Sequence, residues 1–313
     1  MNRRHFFVIT SASLAALAVP RTARAANGVP GRYPAAGGSL GYLRFGTSGP
    51  LSVLLSGGPG LESSYVDPIA TELARDRTIV VLDQRGTGTS RDAVGDGSQL
   101  TVAGAVADLE GLRTELDLRR LSLIGHSWGA MLSMAYAAAH GDRVASLALL
   151  DPGGPDPSFF AGFGARIQAR LTPEDIAAVA ALQKSGQPPN QAILPGYFHD
   201  HAKGVAFAAA LPEHFDNPDV RTAMFNDVGA HYDVKAALHD TAIPTLLLYG
   251  SDDPSRSAEP TLDGVFPHAV KAVIADAGHF PWVENPGPFY AAIRAFLRST
   301  LSLSGVAFRC GRR

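Results

Sequence analysis

One strand–turn–helix unit constrains the fold of this sequence more than any other feature. Mostly apolar residues from position 121 lead into the turn Gly125-His126-Ser127-Trp128-Gly129, and a run rich in Ala, Leu and Met continues to position 140. Glycines two positions before and two after a serine allow the backbone to bend sharply, so that the hydroxyl stands clear of both strand and helix. We therefore predict that Ser127 is a nucleophile held at this turn.

The rest of the chain alternates apolar strands with helices. Strands are predicted at residues 42–45, 51–55, 79–82, 144–150, 245–249 and 272–275. Helices are predicted at residues 101–116, where Thr101 is the expected N-cap, and at residues 288–297. Continuous apolar strands are typical of a mostly parallel sheet with helices on both faces, and 313 residues suffice for one such α/β core.

Residues 156–239 interrupt this alternation. They contain no strong strand but hold prolines, short helical stretches and these aromatic residues: Phe159, Phe160, Phe163, Tyr197, Phe198, Phe207, Phe215, Phe225 and Tyr232. Because a core strand returns at residue 245, we interpret the segment as a helical cap (lid) inserted within one sheet. We expect most of its aromatic side chains to form the cap's own small core.

A serine nucleophile needs a base within hydrogen-bond reach, and the base needs a carboxylate that orients it. Asp252 and Asp253 follow the strand at 245–249, and His279 follows the strand at 272–275. Loops at the carboxyl ends of strands are where ligands meet α/β sheets. We predict His279 as the base and Asp253 as the acid. Asp252 is the alternative acid, and otherwise we expect it to cap the loop backbone.

Acyl transfer also needs N–H donors where negative charge develops on the carbonyl oxygen. The N–H of Trp128, directly after the nucleophile, is one candidate. The second is expected from the Gly57-Gly58 turn, since glycines allow close backbone approach, and Gly58 is preferred over Gly57.

The N-terminus has the composition of a targeting segment. Arg3-Arg4 precedes two phenylalanines, an apolar run follows, and Ala23-Arg24-Ala25 fits a cleavage site. The paired arginines resemble a twin-arginine signal, so we expect recognition by the twin-arginine export machinery and a periplasmic or secreted product. An ordinary secretory signal is the alternative.

Charge and cysteine content limit the partners. The net charge is −2, and loss of residues 1–25, which hold four arginines and no acid, would make it more negative, so no general attraction for nucleic acid is expected. No apolar run reaches the roughly 18 residues of a membrane span, and no stable membrane insertion is expected after cleavage. A single Cys310 cannot form an internal disulfide, and we expect its tail, residues 305–313, to be flexible.

Three motifs together resemble the prolyl iminopeptidase branch of the α/β-hydrolases, which release N-terminal proline from peptides. They are the stretches at residues 56–60 (SGGPG), 83–90 (DQRGTGTS) and 125–129 (GHSWG). The resemblance covers roughly residues 38–152 and 244–297. It implies an α/β-hydrolase fold, a helical cap and a triad of Ser127, Asp253 and His279.

The sequence patterns give a domain order, and the resemblance implies a way to bind substrate. The order is a leader at 1–25, core at 26–155, cap at 156–239, core at 240–304 and a tail at 305–313. A cap carboxylate would hold the peptide amine, and Glu213, beside an aromatic residue, is the candidate, although Glu174, Asp175, Asp216 and Asp219 stay open. Ser56 and His126 depart from the family pattern, which typically has histidine and often glycine there.

The sequence therefore predicts an exported serine hydrolase that forms an acyl-enzyme on a small molecule or short peptide, without a metal or cofactor. A prolyl iminopeptidase-like aminopeptidase is the first expectation. A carboxylesterase or lactonase would use the same residues, and a hydrolase-fold ligand-binding protein with little turnover is a third possibility. Epoxide hydrolase and dehalogenase chemistry is disfavoured, because those relatives have aspartate where this chain has Ser127.

Overall fold

The protein is described by a computed structural model that covers residues 28–187, 189–212 and 214–303. The predicted leader and its cleavage site, the candidate Glu213, Cys310 and the predicted tail lie outside the described residues.

Eight strands form one sheet in the order β1-β2-β4-β3-β5-β6-β7-β8. Their bounds are β1 Val29–Ala35, β2 Gly38–Phe45, β3 Leu51–Leu55, β4 Thr78–Leu82, β5 Leu121–His126, β6 Val144–Leu150, β7 Thr245–Gly250 and β8 Val270–Ile274. Strands β3 to β8 pair in parallel, whereas β1 and β2 form an antiparallel edge. The predicted α/β fold with a mostly parallel sheet is confirmed.

Two hydrophobic cores lie on the two faces of the sheet. Helices α1 (Asp67–Leu73) and α12 (Pro286–Leu303) cover one face, where residues such as Ile69 and Phe289 are fully buried. Helices α2 (Val102–Glu115), α3 (Trp128–Ala139) and α10 (Glu259–Val265) cover the other. The Thr101 hydroxyl accepts the Gly104 N–H at 3.0 Å, which confirms the predicted cap of α2.

The segment between β6 and β7 folds into six helices within its described residues. They are α4 (Phe160–Gln168), α5 (Pro173–Lys184), α6 (Asn190–Ile193), α7 (His201–Ala210), α8 (Pro218–His231) and α9 (Lys235–Leu238), and α11 (Pro281–Glu284) follows β8. No helix in the described ranges is both long and apolar enough to cross a membrane.

The strand order explains how distant residues meet. Strand β5 lies between β3 and β6, and β7 and β8 continue the parallel array. Parallel strands end at the same edge of a sheet, so the loops after β3, β5, β7 and β8 converge there. These loops carry Gly57-Gly58, Ser127, Asp253 and His279, respectively.

Candidate active site

Ser127 occupies a strained turn between β5 and α3. Its backbone angles, φ 54° and ψ −115°, lie in a region that side-chain-bearing residues rarely adopt. A Cβ at Gly125 would lie 2.3 Å from the Gly129 carbonyl oxygen, and one at Gly129 would lie 2.3 Å from that of Leu55. A side chain at either position would clash with the backbone, so glycine is required at both. The two glycines allow the sharp turn that places Ser127 at the end of the strand.

His279 and Asp253 form a buried hydrogen-bonded pair. The Nδ1–H of His279 donates to Asp253 Oδ1 at 2.7 Å, and Oδ1 also accepts the Ser255 N–H at 2.9 Å while the Ser255 hydroxyl bonds the second oxygen. Burial raises the pKa of Asp253, but His279 and Ser255 outweigh this and leave the pKa below its ordinary value. Asp253 is thus a carboxylate, and His279 keeps Nε2 available as a base.

Asp252 occupies a different environment from its neighbour. Its side chain is 42% exposed, and its Oδ2 lies 2.9 Å from Nδ1 of His199 and 2.7 Å from the Ser251 hydroxyl. The expectation that Asp252 caps the loop backbone is wrong, because Asp253 itself accepts the Ser255 N–H. Asp252 instead binds a side chain of the inserted segment.

The two predicted oxyanion donors lie near the nucleophile. Gly58 has φ +54°, a conformation that favours glycine, and both Gly58 and Trp128 line the same cavity as Ser127. The neighbouring Gly57 N–H is already used, since it donates to the Tyr65 hydroxyl oxygen. Among the hydrogen bonds of the described residues, none uses the N–H of Gly58 or Trp128.

Gln84 links the two sides of this donor pair. Its Oε1 accepts the indole N–H of Trp128 at 2.8 Å, and its Nε2 donates to the Ser56 carbonyl oxygen at 2.9 Å. In the sequence, Gln84 is recognisable only as part of the motif at residues 83–90. The structure gives it a role in fixing the spacing between Trp128 and the Ser56-Gly57-Gly58 loop.

His126 is a site residue that sequence reasoning missed beyond its place in the turn. Its Nε2 lies 2.9 Å from the carbonyl oxygen of His279, and its Nδ1 lies 2.8 Å from the Tyr65 hydroxyl. A carbonyl oxygen only accepts, so Nε2 carries the proton and Nδ1 accepts from Tyr65. Burial, followed by the nearby His279, holds the pKa of His126 well below its usual value, so the ring is neutral.

Asp151 is a second missed residue, at the end of β6. It is fully buried with φ 45°, and its Oδ1 accepts the Gly250 N–H at 2.8 Å. One of its oxygens lies within 4.8 Å of ligand atoms of Asp253 and His279. Burial, then the charge of Asp253, raises the pKa of Asp151 well above that of an ordinary carboxyl. The environment of Asp151 therefore favours its protonated form beside the Asp253 carboxylate.

The same three side chains, Asp151, Asp253 and His279, are the one group of potential metal ligands within the described ranges. The Asp253 oxygens already accept hydrogen bonds from His279 and Ser255, and His279 Nδ1 is the donor to Asp253. A metal ion would have to replace these bonds. These hydrogen bonds orient the His279 imidazole, and they occupy the atoms that would otherwise be available to bind a metal ion.

A cavity of about 870 Å³, counting its open mouth, lies over Ser127 and His279. Of the nine aromatic residues noted in the inserted segment, six line this cavity: Phe159, Phe160, Phe163, Tyr197, Phe215 and Phe225. The expectation that most of them form a separate core is wrong. The insertion follows β6, so its helices lie over the carboxyl edge of the sheet and their apolar side chains face the nucleophile.

The His279 loop is tied directly to the inserted segment. The His279 N–H donates to the Tyr197 carbonyl oxygen at 2.8 Å. The buried Glu284 carboxylate accepts the N–H groups of Gly278 at 2.6 Å and of Asp200 at 2.8 Å. Lys203 also donates to the Glu284 carbonyl oxygen at 3.0 Å. One carboxylate thus joins the loop that holds the candidate base to the segment that forms the cavity roof.

Comparison with known proteins places these features in a family. The model of the alpha/beta hydrolase fold family matches residues 53–286. A proline iminopeptidase from Lactiplantibacillus plantarum is 28% identical over 265 residues, which cover 78% of this chain and 91% of the relative.

Solved structures share the fold at lower identity. A thermophilic esterase from Thermogutta terrifontis matches with a TM-score of 0.66 and 23% identity, covering 88% of this chain and 99% of the esterase. A proline iminopeptidase from Mycobacterium smegmatis matches with a TM-score of 0.64 and 21% identity, covering 88% and 99%. The chain therefore belongs to the alpha/beta hydrolase fold family, and it is a hydrolase that resembles the proline iminopeptidase branch.

Proposed function

We propose that this chain is a serine hydrolase that cleaves esters of apolar acids through an acyl-enzyme. The observation that carries the choice of substrate is the lining of the cavity over Ser127. It consists mainly of aromatic and aliphatic side chains, and no aspartate or glutamate is among its described lining residues. Such a cavity favours an ester with an apolar acyl chain.

The proposed reaction uses each group at a defined atom. Ser127 Oγ attacks the ester carbonyl while His279 Nε2 takes its proton, and Asp253 stabilises the imidazolium that forms. The N–H groups of Gly58 and Trp128 stabilise the oxyanion, each by about 2.7–4 kcal/mol in the transition state. His279 then gives the proton to the leaving alcohol, and afterwards it activates water, which releases the acid.

Recognition of an N-terminal proline makes a different demand on the cavity. A prolyl substrate brings a secondary ammonium group, and burial of this cation requires a carboxylate partner. The described lining offers no carboxylate, and Arg221 would repel a cation. The candidate carboxylate Glu213 lies outside the described residues. These points favour esters over prolyl peptides.

A prolyl iminopeptidase is the second candidate, and the family comparison favours it. The Lactiplantibacillus plantarum relative that carries this name aligns over 91% of its length. Trp128 and residues 83–90 also keep to the family pattern. Both candidates use the same triad, so the substrate alone distinguishes them.

The test is direct comparison of two substrates on one preparation. We expect rapid turnover of 4-nitrophenyl butyrate, turnover of proline β-naphthylamide at least about tenfold slower in kcat/KM, and loss of most activity in the folded Ser127→Ala variant. The reverse substrate preference would establish the aminopeptidase. Labelling of Ser127 by a fluorophosphonate without turnover of either substrate would instead support a ligand-binding protein.

A further inference from the structure

Arg221 gives the otherwise apolar cavity one permanent positive charge. It lies on α8 and lines the cavity with Ser127 and His279, whereas Asp216, its ion-pair partner, does not line it. A charge that faces an apolar space is costly unless it has a partner there. The position of Arg221 therefore indicates a ligand with a negatively charged group.

The Asp216 pair leaves part of the guanidinium available. Asp216 accepts from Nη1 of Arg221, and the Arg221 side chain makes no other hydrogen bond within the described part of the chain. A guanidinium has five N–H donors in a planar fork, which suits bidentate binding of a carboxylate. The Arg221 side chain is 21% exposed, so these donors are reachable.

Tyr197 supplies a second polar group in the same cavity. Its ring centroid lies 5.3 Å from that of His279, and Tyr197 lines the cavity together with Arg221. Burial, then the charge of Asp253, raises the pKa of Tyr197, while the charge of Arg221 lowers it. The hydroxyl therefore stays protonated as a donor, and the Arg221 charge acts on it.

We propose that Arg221 and Tyr197 form a carboxylate-binding subsite, so that the preferred substrate is an ester that carries a free carboxylate next to its apolar chain. This inference rests on the proposed esterase function and narrows its substrate class. The carboxylate would neutralise the cavity charge and accept from the guanidinium and the hydroxyl. The shared chemistry is the carboxylate, whether it stands on the acyl or the alcohol side.

The test compares charged and neutral forms of one ester. Mono-4-nitrophenyl adipate carries the carboxylate on the acyl side, and its methyl ester is the neutral control. For the alcohol side, 4-carboxyphenyl butyrate is compared with its methyl ester. The measured quantity is the ratio of kcat/KM for the charged form to that for the neutral form.

We expect Arg221→Gln to lower the ratio for one of the two pairs by about tenfold or more, the size of a lost charge-assisted hydrogen bond, mainly through KM. Tyr197→Phe should lower the same ratio by a smaller factor. Arg166→Gln is the matched control, because it removes the same charge from an exposed position on α4. Its ratio should equal that of the wild type.

Loss of Arg221 leaves Asp216 without this partner, and the single variant could fail to fold. The double variant Arg221→Gln with Asp216→Asn removes both charges and keeps similar shapes, and it should show the same fall in the ratio. Unchanged ratios in a double variant that still hydrolyses the neutral esters would overturn the subsite and leave the esterase function standing. Absence of ester turnover in the wild type would instead refute the esterase function.

Discussion

His126 Nε2 donates to the backbone carbonyl oxygen of His279 across 2.9 Å. Through its other nitrogen, the same ring accepts from Tyr65, whose hydroxyl oxygen accepts the Gly57 N–H. One buried neutral imidazole therefore connects the backbone of the candidate base with the loop that holds a candidate oxyanion donor. The two sides of the site are held in register by this chain of hydrogen bonds.

The neutral state of His126 predicts how stability depends on pH. Its pKa is depressed below the ordinary value of 6.5, so the unfolded chain binds a proton that the folded one does not. The corresponding stability is present above pH 6.5 and is lost as pH falls further. His126→Gln should be less stable at pH 7.5 by about 1–3 kcal/mol and should lose less stability between pH 6.5 and 5 than the wild type.

Urea unfolding at several pH values measures this effect. His268→Gln is the control, since that side chain is 81% exposed, and its pH dependence should match the wild type. An equally steep fall in the His126→Gln protein would contradict a neutral buried imidazole.

Separate replacement of Asp252 and Asp253 by asparagine tests which acid orients the candidate base His279. Asp253→Asn should reduce kcat severely, by a factor of up to about 10⁴, because an amide can hold the wrong tautomer of His279. Asp252→Asn should have a mild effect, since that side chain contacts His199 on the surface instead. The opposite order of losses in ester turnover would move the acid to Asp252.

The raised pKa of Asp151 predicts that this position tolerates an uncharged amide. Asp151→Asn should fold and be at least as stable as the wild type at pH 7, because the amide resembles a protonated carboxyl, accepts the Gly250 N–H and tolerates φ 45°. The raised pKa means that the wild type loses stability as pH rises above the ordinary carboxyl value, and the amide removes this loss.

Asp151→Ala is the matched comparison, since it leaves the buried Gly250 N–H without an acceptor at a cost of about 1–3 kcal/mol. Thermal melts at pH 5 and pH 8 distinguish the variants. A strong destabilisation of Asp151→Asn at pH 8 would indicate that Asp151 is ionised.

Gln84 should act on catalysis through the groups it positions. Gln84→Met removes both hydrogen bonds, to Trp128 and to Ser56, so the candidate oxyanion donors lose their fixed spacing. We expect kcat to fall by about tenfold or more with little change in KM, because the oxyanion exists only in the transition state. Gln183→Met, on an exposed part of α5, should behave like the wild type. A rise in KM at constant kcat would assign Gln84 to substrate binding.

We propose that residues 1–25 direct the chain to the twin-arginine transport route. Replacement of Arg3 and Arg4 by lysine should retain the precursor in the cytoplasm, because a twin-arginine signal is read by a receptor and not by charge alone. Cell fractionation and N-terminal sequencing, with a mature start expected near Ala26, measure the outcome. Unchanged export would favour the general secretory route.

Local patterns predicted the parallel core well. Buried parallel strands are continuously apolar, and β3 to β7 were recognisable for this reason. The edge strand β1 was not, since Val29–Ala35 contains two prolines and one glycine and is mostly exposed. Its pairing with β2 is a tertiary contact that composition does not indicate.

Site residues that directly follow a predicted strand could be predicted from the sequence. Residues that reach the site only through contacts between distant parts of the chain could not. Asp151 resembles a loop residue in sequence, and only the neighbouring β7 brings its carboxyl near Asp253. The aromatic residues of the insertion could pack in a core or line a cavity. Their hydrophobicity alone does not distinguish these two arrangements. Arg221 likewise could be recognised as a candidate binding residue only once the apolar lining around it was known.

The attachment of Glu284 to both Gly278 and Asp200 has a mechanical consequence. If the inserted segment moved away at this end, it would pull on the backbone next to His279 and displace the candidate base. Substrate entry should therefore rely on movements elsewhere along the cavity rim, away from this carboxylate. The inserted segment and the His279 loop should therefore move together, and a displaced segment would carry His279 away from Ser127, whose proton it is proposed to take.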